Sequence, residues 1–321
     1  MAKKTFLEAI HAAQFEEMQR DPAVFIMGED VEANMFGTTT GMKEAFGAER
    51  VRDTPIAEAG MAGVAAGAAM VGMRPIVDFT IAPFLYPAYD QIVSIIAKSR
   101  YLYGGQAKVP LVLRANMIYG NGNAAQHSDR PYPAFMNQPG LKIMVPSSAY
   151  EMKGLMKSAI RDDDPVLSFE DAMLWSSSSD IPDEEYLIPL GKANVARAGK
   201  DCTIVAIGAM MLHANAAADE LAQDGISCEV IDPRTVSPLD TATILESVAR
   251  TGRLVSVDCA NGRCSAAREI SAVVSDEGFW DLRAPIVRVT TENTHIPFNP
   301  AEAQLYPSKD KVVAAVRRTL S

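Results

Sequence analysis

The sequence has few of the residues that mark disulfide-bonded, zinc-binding or membrane-spanning proteins. It contains four cysteines among 321 residues, with no CxxC pair and none of the spacing of a disulfide framework. No apolar run approaches the roughly 20 residues that a transmembrane helix requires. The sequence therefore predicts reduced structural thiols at Cys202, Cys228, Cys259 and Cys264 and no membrane partner.

Positive charge is also scarce. The formal net charge is −10, whereas a nucleic-acid backbone favours a basic protein surface. The first residues lead directly into an amphipathic stretch, with neither an apolar signal region nor an Arg/Ser-rich transit segment. We therefore expect a cytoplasmic protein that binds no nucleic acid, although a basic protein partner is compatible with this charge.

Short apolar segments alternate with helical patterns along the chain. The first block has predicted strands at 23–27, 74–80, 109–114, 141–145 and 165–169, and helices at 4–20, 60–72, 83–103 and 150–161. The second block has strands at 202–207, 227–231, 254–258 and 286–289, and helices at 210–223, 239–249 and 266–276. This alternation is typical of parallel sheets covered by helices on both faces.

A polar, acidic run, SSSSDIPDEE at 176–185, interrupts the alternation. Such composition is typical of a surface connection. We therefore predict an α/β protein of two parallel-sheet domains, at residues 1–175 and 201–321, joined by a linker at 176–200.

Glu58 lies at an unusual junction, where DTPIAEAG (53–60) leads into the small-residue run GMAGVAAGAAMVG (60–72). A carboxylate at the beginning of a helix is most often a capping or dipole group. A helix of small residues usually indicates close packing, including packing across a subunit interface. Both interpretations place Glu58 beside a crowded surface.

His127 stands in the polar loop GNGNAAQHSD (120–129), which follows a predicted strand. Loops after the carboxyl ends of parallel strands are where α/β proteins build their sites. A lone histidine is more often structural than catalytic, but this setting makes His127 the strongest candidate of the four.

Several catalytic motifs are missing. The chain has no P-loop, HExxH or GxSxG motif, and the run at 60–72 does not satisfy GxGxxG. It also lacks the Gly-Asp-Gly run, with a downstream asparagine, by which thiamine enzymes hold magnesium and diphosphate. The nearest match, Gln223-Asp224-Gly225, falls at the end of a predicted helix.

Collinear segments across nearly the whole chain resemble one family: the beta subunit of the thiamine diphosphate-dependent decarboxylase component of 2-oxo acid dehydrogenase complexes. The family includes pyruvate, branched-chain 2-oxo acid and acetoin members. The segments that carry the resemblance include GEDV (28–31), RVRDTPIAEAG (50–60), YDQI (89–92), QHS (126–128), PGLK (139–142), VIDPRT (230–235) and APIVRV (284–289).

The resemblance implies a transketolase-like pyrimidine-binding domain followed by a transketolase-like C-terminal domain. It implies an alpha-two-beta-two heterotetramer in which the alpha subunit holds magnesium and the cofactor's diphosphate. The cofactor would lie at the alpha–beta interface. After decarboxylation, the acyl group would pass to the lipoyl domain of a dihydrolipoyl acyltransferase.

The resemblance also assigns roles to individual residues. Glu58 matches the glutamate that hydrogen-bonds the pyrimidine N1′ and promotes removal of the thiazolium C2 proton. Phe84 matches the aromatic residue that packs on the pyrimidine, although an ordinary core phenylalanine is the alternative, and Thr80 lies in the same cofactor-binding stretch. His127 matches the histidine near the substrate, proposed to assist proton transfer and reductive acylation of the lipoyl group.

Five further positions match those that hold a structural potassium ion, largely through backbone oxygens. They are Leu111, Ala159, Ile160, Asp162 and Asp164.

The chain departs from the family pattern at Asp129 and Arg130 after the QHS segment, and at Asn137 before the PGLK segment. The run TIAP (80–83), on the approach to Phe84, is also unusual for the family. These departures fall where substrate and lipoyl arm would enter. The substrate therefore stays open between a 2-oxo acid, which leads, and acetoin or a related diketone or acyloin. A third hypothesis is a degenerate, non-catalytic subunit that serves as an assembly surface.

Overall fold

A computed structural model describes residues 2–120 and 122–321 of the chain. The chain folds into two compact units. The first unit comprises Met1–Ile118 and Ala134–Leu190, and the second comprises Tyr119–Pro133 and Gly191–Ser321. Asn121, in the loop that carries His127, lies outside the described residues.

Fourteen strands are assigned in the described residues. They are β1 (Ala2–Thr5), β2 (Val24–Gly28), β3 (Val51–Asp53), β4 (Arg74–Ile81), β5 (Val112–Met117), β6 (Lys142–Met144), β7 (Val166–Asp171), β8 (Ser178–Ile181), β9 (Asn194–Arg197), β10 (Cys202–Ala206), β11 (Cys228–Asp232), β12 (Thr235–Ser237), β13 (Leu254–Asn261) and β14 (Val287–Thr291). All nine strands predicted from the sequence are present, with bounds that differ by a few residues.

Eleven α-helices are assigned in the same part of the chain. They are α1 (Phe6–Arg20), α2 (Met42–Phe46), α3 (Glu58–Met70), α4 (Ser99–Leu102), α5 (Ala124–His127), α6 (Tyr132–Met136), α7 (Ala149–Arg161), α8 (Met210–Gln223), α9 (Thr241–Thr251), α10 (Ala266–Glu277) and α11 (Lys309–Leu320). Among the helices of the described residues, none combines the length and the apolar composition of a membrane span.

The first unit is built on a parallel sheet in which its strands follow the order β6-β7-β5-β4-β2-β3. Strands β2, β5 and β7 are buried at every position, as expected for a parallel sheet that is covered on both faces. Helix α1 begins at a capping box, where Glu8 N donates to Thr5 Oγ1 and Thr5 N donates to Glu8 Oε2. A separate antiparallel pair joins β1 to β8.

The second unit contains a five-stranded sheet of order β14-β13-β10-β11-β9. Its strands are parallel except for β9, which runs antiparallel to β11. Parallel pairing explains the helices between successive strands, because a parallel strand pair needs a crossover connection. The four cysteines form no disulfide within the described residues; three of them are buried and Cys264 is exposed.

The predicted continuous helix at 83–103 is wrong. The structure has a 3₁₀ turn at Ala82–Leu85, a π-helical stretch at Gln91–Ile96 and the short helix α4. Pro83 stands in the 3₁₀ turn and Pro87 lies between that turn and the π stretch. Because proline lacks a backbone N–H, it weakens a regular helix there. π-helical segments are frequent at functional sites, and this one follows the turn that carries Phe84.

A buried charge cluster lies across the middle of the first sheet. Arg114 of β5 is completely buried and contacts Asp78 of β4 (Nη1–Oδ2, 2.5 Å) and Glu170 of β7 (Nη2–Oε2, 2.6 Å). Thr38 Oγ1 accepts a further hydrogen bond from Arg114 Nη1, at 3.1 Å. Burial alone would lower the pKa of Arg114, but the two carboxylates raise it, so the guanidinium stays charged.

We expect Arg114→Leu to reduce the free energy of unfolding by about 3–5 kcal/mol, because Asp78 and Glu170 would be left buried without a counter-charge. Urea denaturation measures the effect. Arg318→Leu is the control, since Arg318 is exposed and has no ion pair with the described residues; its effect should stay within about 0.5 kcal/mol. Equal effects of the two substitutions would contradict this account of the cluster.

Candidate functional site

The site residues of the first unit lie at the carboxyl ends of neighbouring parallel strands. In the sheet, Gly28 pairs with Asp53 of β3 on one side and with Asp78 of β4 on the other. The chain leaves β2 towards Glu29 and leaves β3 towards Glu58. Parallel strands therefore bring these segments to one edge of the sheet, where α/β proteins bind their ligands.

Gly28 is required at this edge by close approach. A Cβ atom at position 28 would lie 2.4 Å from the backbone oxygen of Asp78. Its own carbonyl accepts a hydrogen bond from Thr54 N at 2.9 Å. The glycine of the GEDV segment thus lets three strand ends meet at a short distance.

Glu58 is the first residue of α3 and is half-buried. The N-cap residue is Ala57, and no side chain caps this helix end. Glu58 is therefore not the cap residue that the structural interpretation of the sequence suggested, although the helix dipole favours its negative charge. The turn that joins β3 to α3 places this residue just beyond the carboxyl end of β3.

Glu29 is a second carboxyl group close to Glu58, and the sequence analysis gave it no role. Burial and the negative charges of Glu58, Asp30 and Asp78 raise the pKa of the Glu29 carboxyl. Carboxyl groups that interact in this way are characteristic of functional sites. A sequence signal did exist, because Glu29 directly follows a fully buried strand.

Thr80, near the end of β4, has a φ of +63°, which is uncommon for a β-branched residue. Two hydrogen bonds hold this conformation: Thr80 N donates to Asp78 Oδ1 at 2.8 Å, and Asn116 Nδ2 donates to Thr80 O at 2.7 Å. Phe84 follows in the 3₁₀ turn and is half-buried. The buried cluster around Arg114 thus extends through Asp78 to the segment that carries Phe84.

Buried polar atoms without partners gather at the same strand ends. Glu29 Oε1, Thr54 Oγ1, Thr80 Oγ1 and Asn116 Oδ1 have no hydrogen-bond partner among the described residues. They stand at or just after the ends of β2, β3, β4 and β5, which are adjacent in the sheet. Because buried polar groups are nearly always hydrogen-bonded, this edge is suited to a polar ligand.

His127 belongs to the second unit, whereas Glu58, Thr80 and Phe84 belong to the first. It ends the short helix α5 and is half-buried. Arg130, one of the residues that differ from the family pattern, follows three positions later and is buried. Its guanidinium lies 5.0 Å from the Tyr306 ring centroid and 5.9 Å from that of Tyr119. Burial raises the pKa of Tyr306 to about 12.

The five residues matched to a potassium site lie at the base of the first unit, around β5, α7 and β7. Arg74 Nη1 donates to the carbonyl oxygens of Ile160 (3.0 Å) and Asp162 (2.9 Å), so these two oxygens converge on one cationic group. Lys142 pairs with Asp162 at 2.7 Å, and Arg100 pairs with Asp164 at 2.6 Å. Positive charge is therefore already supplied there by side chains.

No group of three or more His, Cys, Asp or Glu side chains in the described ranges is arranged to hold a metal ion.

Comparison with known proteins covers almost the whole chain. Residues 2–174 match the transketolase pyrimidine-binding domain and residues 191–312 match the transketolase C-terminal domain. A solved structure described as a split-gene transketolase, inactive beta4 tetramer, has a TM-score of 0.81 and 26% identity, covering 98% of each chain.

Three relatives from Bacillus subtilis (strain 168) are similar over nearly their full lengths. The beta subunit of acetoin:2,6-dichlorophenolindophenol oxidoreductase is 42% identical, covering 98% of this chain and 96% of that one. The beta subunit of 2-oxoisovalerate dehydrogenase is 43% identical (99% and 98%), and that of the pyruvate dehydrogenase E1 component is 40% identical (100% and 99%). The chain therefore belongs to the family of thiamine-dependent dehydrogenase E1 beta subunits, which are built from transketolase-like pyrimidine-binding and C-terminal domains.

Proposed function

We propose that the chain is the beta half of an enzyme that decarboxylates a 2-oxo acid and transfers the acyl group to a lipoyl domain. The observation that carries the proposal is the group of unpartnered polar atoms beside Glu58, Glu29 and Phe84. An aminopyrimidine ring has polar edges and apolar faces, so it needs hydrogen-bonding groups and an aromatic surface together. This chemistry fits the residues present at the sheet edge.

When bound, thiamine diphosphate would supply a nucleophilic carbon and a place for the electron pair that is released with carbon dioxide. Glu58 would hold a proton on its carboxyl oxygen and exchange it with the pyrimidine N1′. A carboxyl group suits this exchange because it can accept and return a proton within one hydrogen bond. Thr80 and Phe84 would orient the ring, and His127 would act on the substrate side.

We infer that a separate alpha subunit completes the site and supplies the magnesium–diphosphate motif. The surface next to Glu58 supports this inference. Ile56 is 80% exposed and Val64 is 63% exposed, and a largely apolar groove of about 590 Å³ lies beside them, lined in part by Met27 and Met61. Exposed apolar surface of this kind is typical of a protein–protein interface.

The acetoin alternative is retained because overall similarity to known relatives supports it as well as it supports the 2-oxo acid reaction. Relatives named for acetoin and for 2-oxoisovalerate are equally similar to this chain, at 42–43% identity. Overall identity therefore does not separate cleavage of a carbon–carbon bond in acetoin from loss of carbon dioxide.

We also propose residues 1–175 and 201–321 as the two functional domains, and a dihydrolipoyl acyltransferase as the second partner.

The donor test uses the full chain co-expressed with an alpha subunit that carries the Gly-Asp-Gly motif. Pyruvate, 2-oxoisovalerate and acetoin are offered in turn, with 2,6-dichlorophenolindophenol as electron acceptor. We expect thiamine-dependent reduction of the dye with a 2-oxo acid. Turnover of acetoin alone would establish the alternative. No turnover with any donor, together with retained acyltransferase binding, would identify a non-catalytic assembly subunit.

We expect Glu58→Gln to lower turnover by about 10²–10⁴-fold, because the amide keeps the size of the side chain but cannot exchange the proton. Steady-state dye reduction by the assembled enzyme measures the loss. Glu44→Gln is the matched control, since Glu44 is exposed on α2. Full activity of the Glu58 variant would show that the proposed proton exchange is wrong.

Potassium binding by Leu111, Ala159, Ile160, Asp162 and Asp164 is proposed separately. A carbonyl oxygen has a second lone pair, so an ion could share the oxygens that Arg74 contacts. If the ion binds, the melting temperature should be higher in KCl than in NaCl of equal ionic strength, since a ligand at 100 times its Kd stabilises by about 2.7 kcal/mol. Identical melting curves in the two salts would count against the site.

A further inference from the structure

A groove of about 570 Å³ runs beside β14 in the second unit. Every residue from Val287 to Asn293 lines it, so it follows the whole strand and continues past its end. Helix α11 forms another wall, through Ala314, Ala315 and Arg318. The groove is thus elongated along the direction of the strand.

Its lining is strongly basic. Five cationic side chains line it, whereas Glu292 is its one carboxylate; the cations are Arg263, Arg268, Arg288, Lys311 and Arg318. None of the five forms an ion pair with any residue in the described parts of the chain. This concentration of positive charge occurs in a protein with a formal net charge of −10, so it does not reflect overall composition.

Two of these cations are hydrogen-bonded to backbone oxygens, and the other three have free hydrogen-bonding capacity. Arg268 donates to Gly262 O at 2.6 Å, and Lys311 donates to Gln304 O and Tyr306 O at 2.7 and 2.9 Å. Arg263, Arg288 and Arg318 are exposed, and their guanidinium groups make no hydrogen bond to the described residues. Guanidinium groups bind carboxylates in a bidentate manner, so an acidic ligand would satisfy them.

The strand itself offers backbone groups. β14 is the edge of the five-stranded sheet and pairs only with β13 there. The opposite side of an edge strand presents N–H and C=O groups to which another strand can bind. At one end, Gly262 approaches Thr290 so closely that a Cβ would lie 2.7 Å from its Oγ1, so a residue with a side chain does not fit at this point of the groove lining.

We propose that this groove binds an extended acidic segment of a partner protein, which adds to β14 as a further strand. The backbone edge would supply the main-chain hydrogen bonds of strand addition. The arginines would select aspartate and glutamate side chains on the added segment. The occupant is a peptide rather than a compact anion because the groove that these basic side chains line extends along the whole of β14.

The test uses the full chain and a fluorescein-labelled peptide in which glutamate and valine alternate. The peptide has about eight residues, which is towards the upper end of usual strand lengths. Binding is followed by fluorescence anisotropy. We expect binding that weakens with salt, and a loss of roughly tenfold for Arg288→Glu or Arg318→Glu, the size expected for a charged hydrogen bond. Circular dichroism confirms that each variant is folded.

Lys192→Glu is the matched control. It makes the same change of charge, and Lys192 is exposed just before β9, at the opposite edge of the same sheet. This variant should bind the peptide as the unmodified chain does. Equal losses for all three variants would mean that only net charge matters, and would overturn the proposal.

Strand addition is tested separately from charge. A peptide of the same sequence with N-methyl groups at alternate residues keeps its carboxylates but loses half of its backbone donors. It should bind at least tenfold more weakly in one of the two methylation registers, a loss of about 1.4 kcal/mol. Unchanged binding in both registers, or binding of inorganic pyrophosphate without binding of the peptide, would show that the groove is not a peptide site.

Discussion

Arg114 carries its charge between Asp78 and Glu170 in a part of the sheet that is closed to water. The three residues belong to β4, β5 and β7, so the cluster joins the middle strands of the first unit through side chains as well as through backbone hydrogen bonds. A buried charge is tolerated only when it is paired and hydrogen-bonded. The relative positions of these strands therefore depend on all three groups remaining in place.

The same cluster reaches the candidate site through Asp78. One of its carboxylate oxygens pairs with Arg114 and the other accepts the hydrogen bond from Thr80 N. Thr80 has a positive φ, and such a conformation persists only where surrounding contacts impose it. The direction in which the chain leaves β4 towards Phe84 is thus set by a charge network that does not itself need to touch a ligand.

In the proposed function, this chain supplies Glu58 for proton exchange and a separate alpha subunit supplies the rest of the thiamine site. This division explains three features at once. The magnesium–diphosphate motif is missing from the sequence, an apolar groove is exposed next to Glu58, and polar atoms at the strand ends have no partner among the described residues. Arg130, one of the departures from the family pattern, is buried against two tyrosine rings and so has a packing role within its own unit.

The sequence by itself determined the fold class and the family, because alternating apolar segments and collinear motifs are properties of the linear chain. It also singled out Glu58, whose role stays a prediction. All nine strands predicted from the sequence are present in the structure. The sequence did not predict α11 or the break at 82–102, where two prolines and tertiary packing replace a regular helix. Nor did it predict the Arg114 cluster, the proximity of Glu29 to Glu58, or the basic groove beside β14. Those features join residues that are far apart in sequence, such as Arg114 and Glu170 or Arg263 and Arg318, and only the folded sheets bring them together.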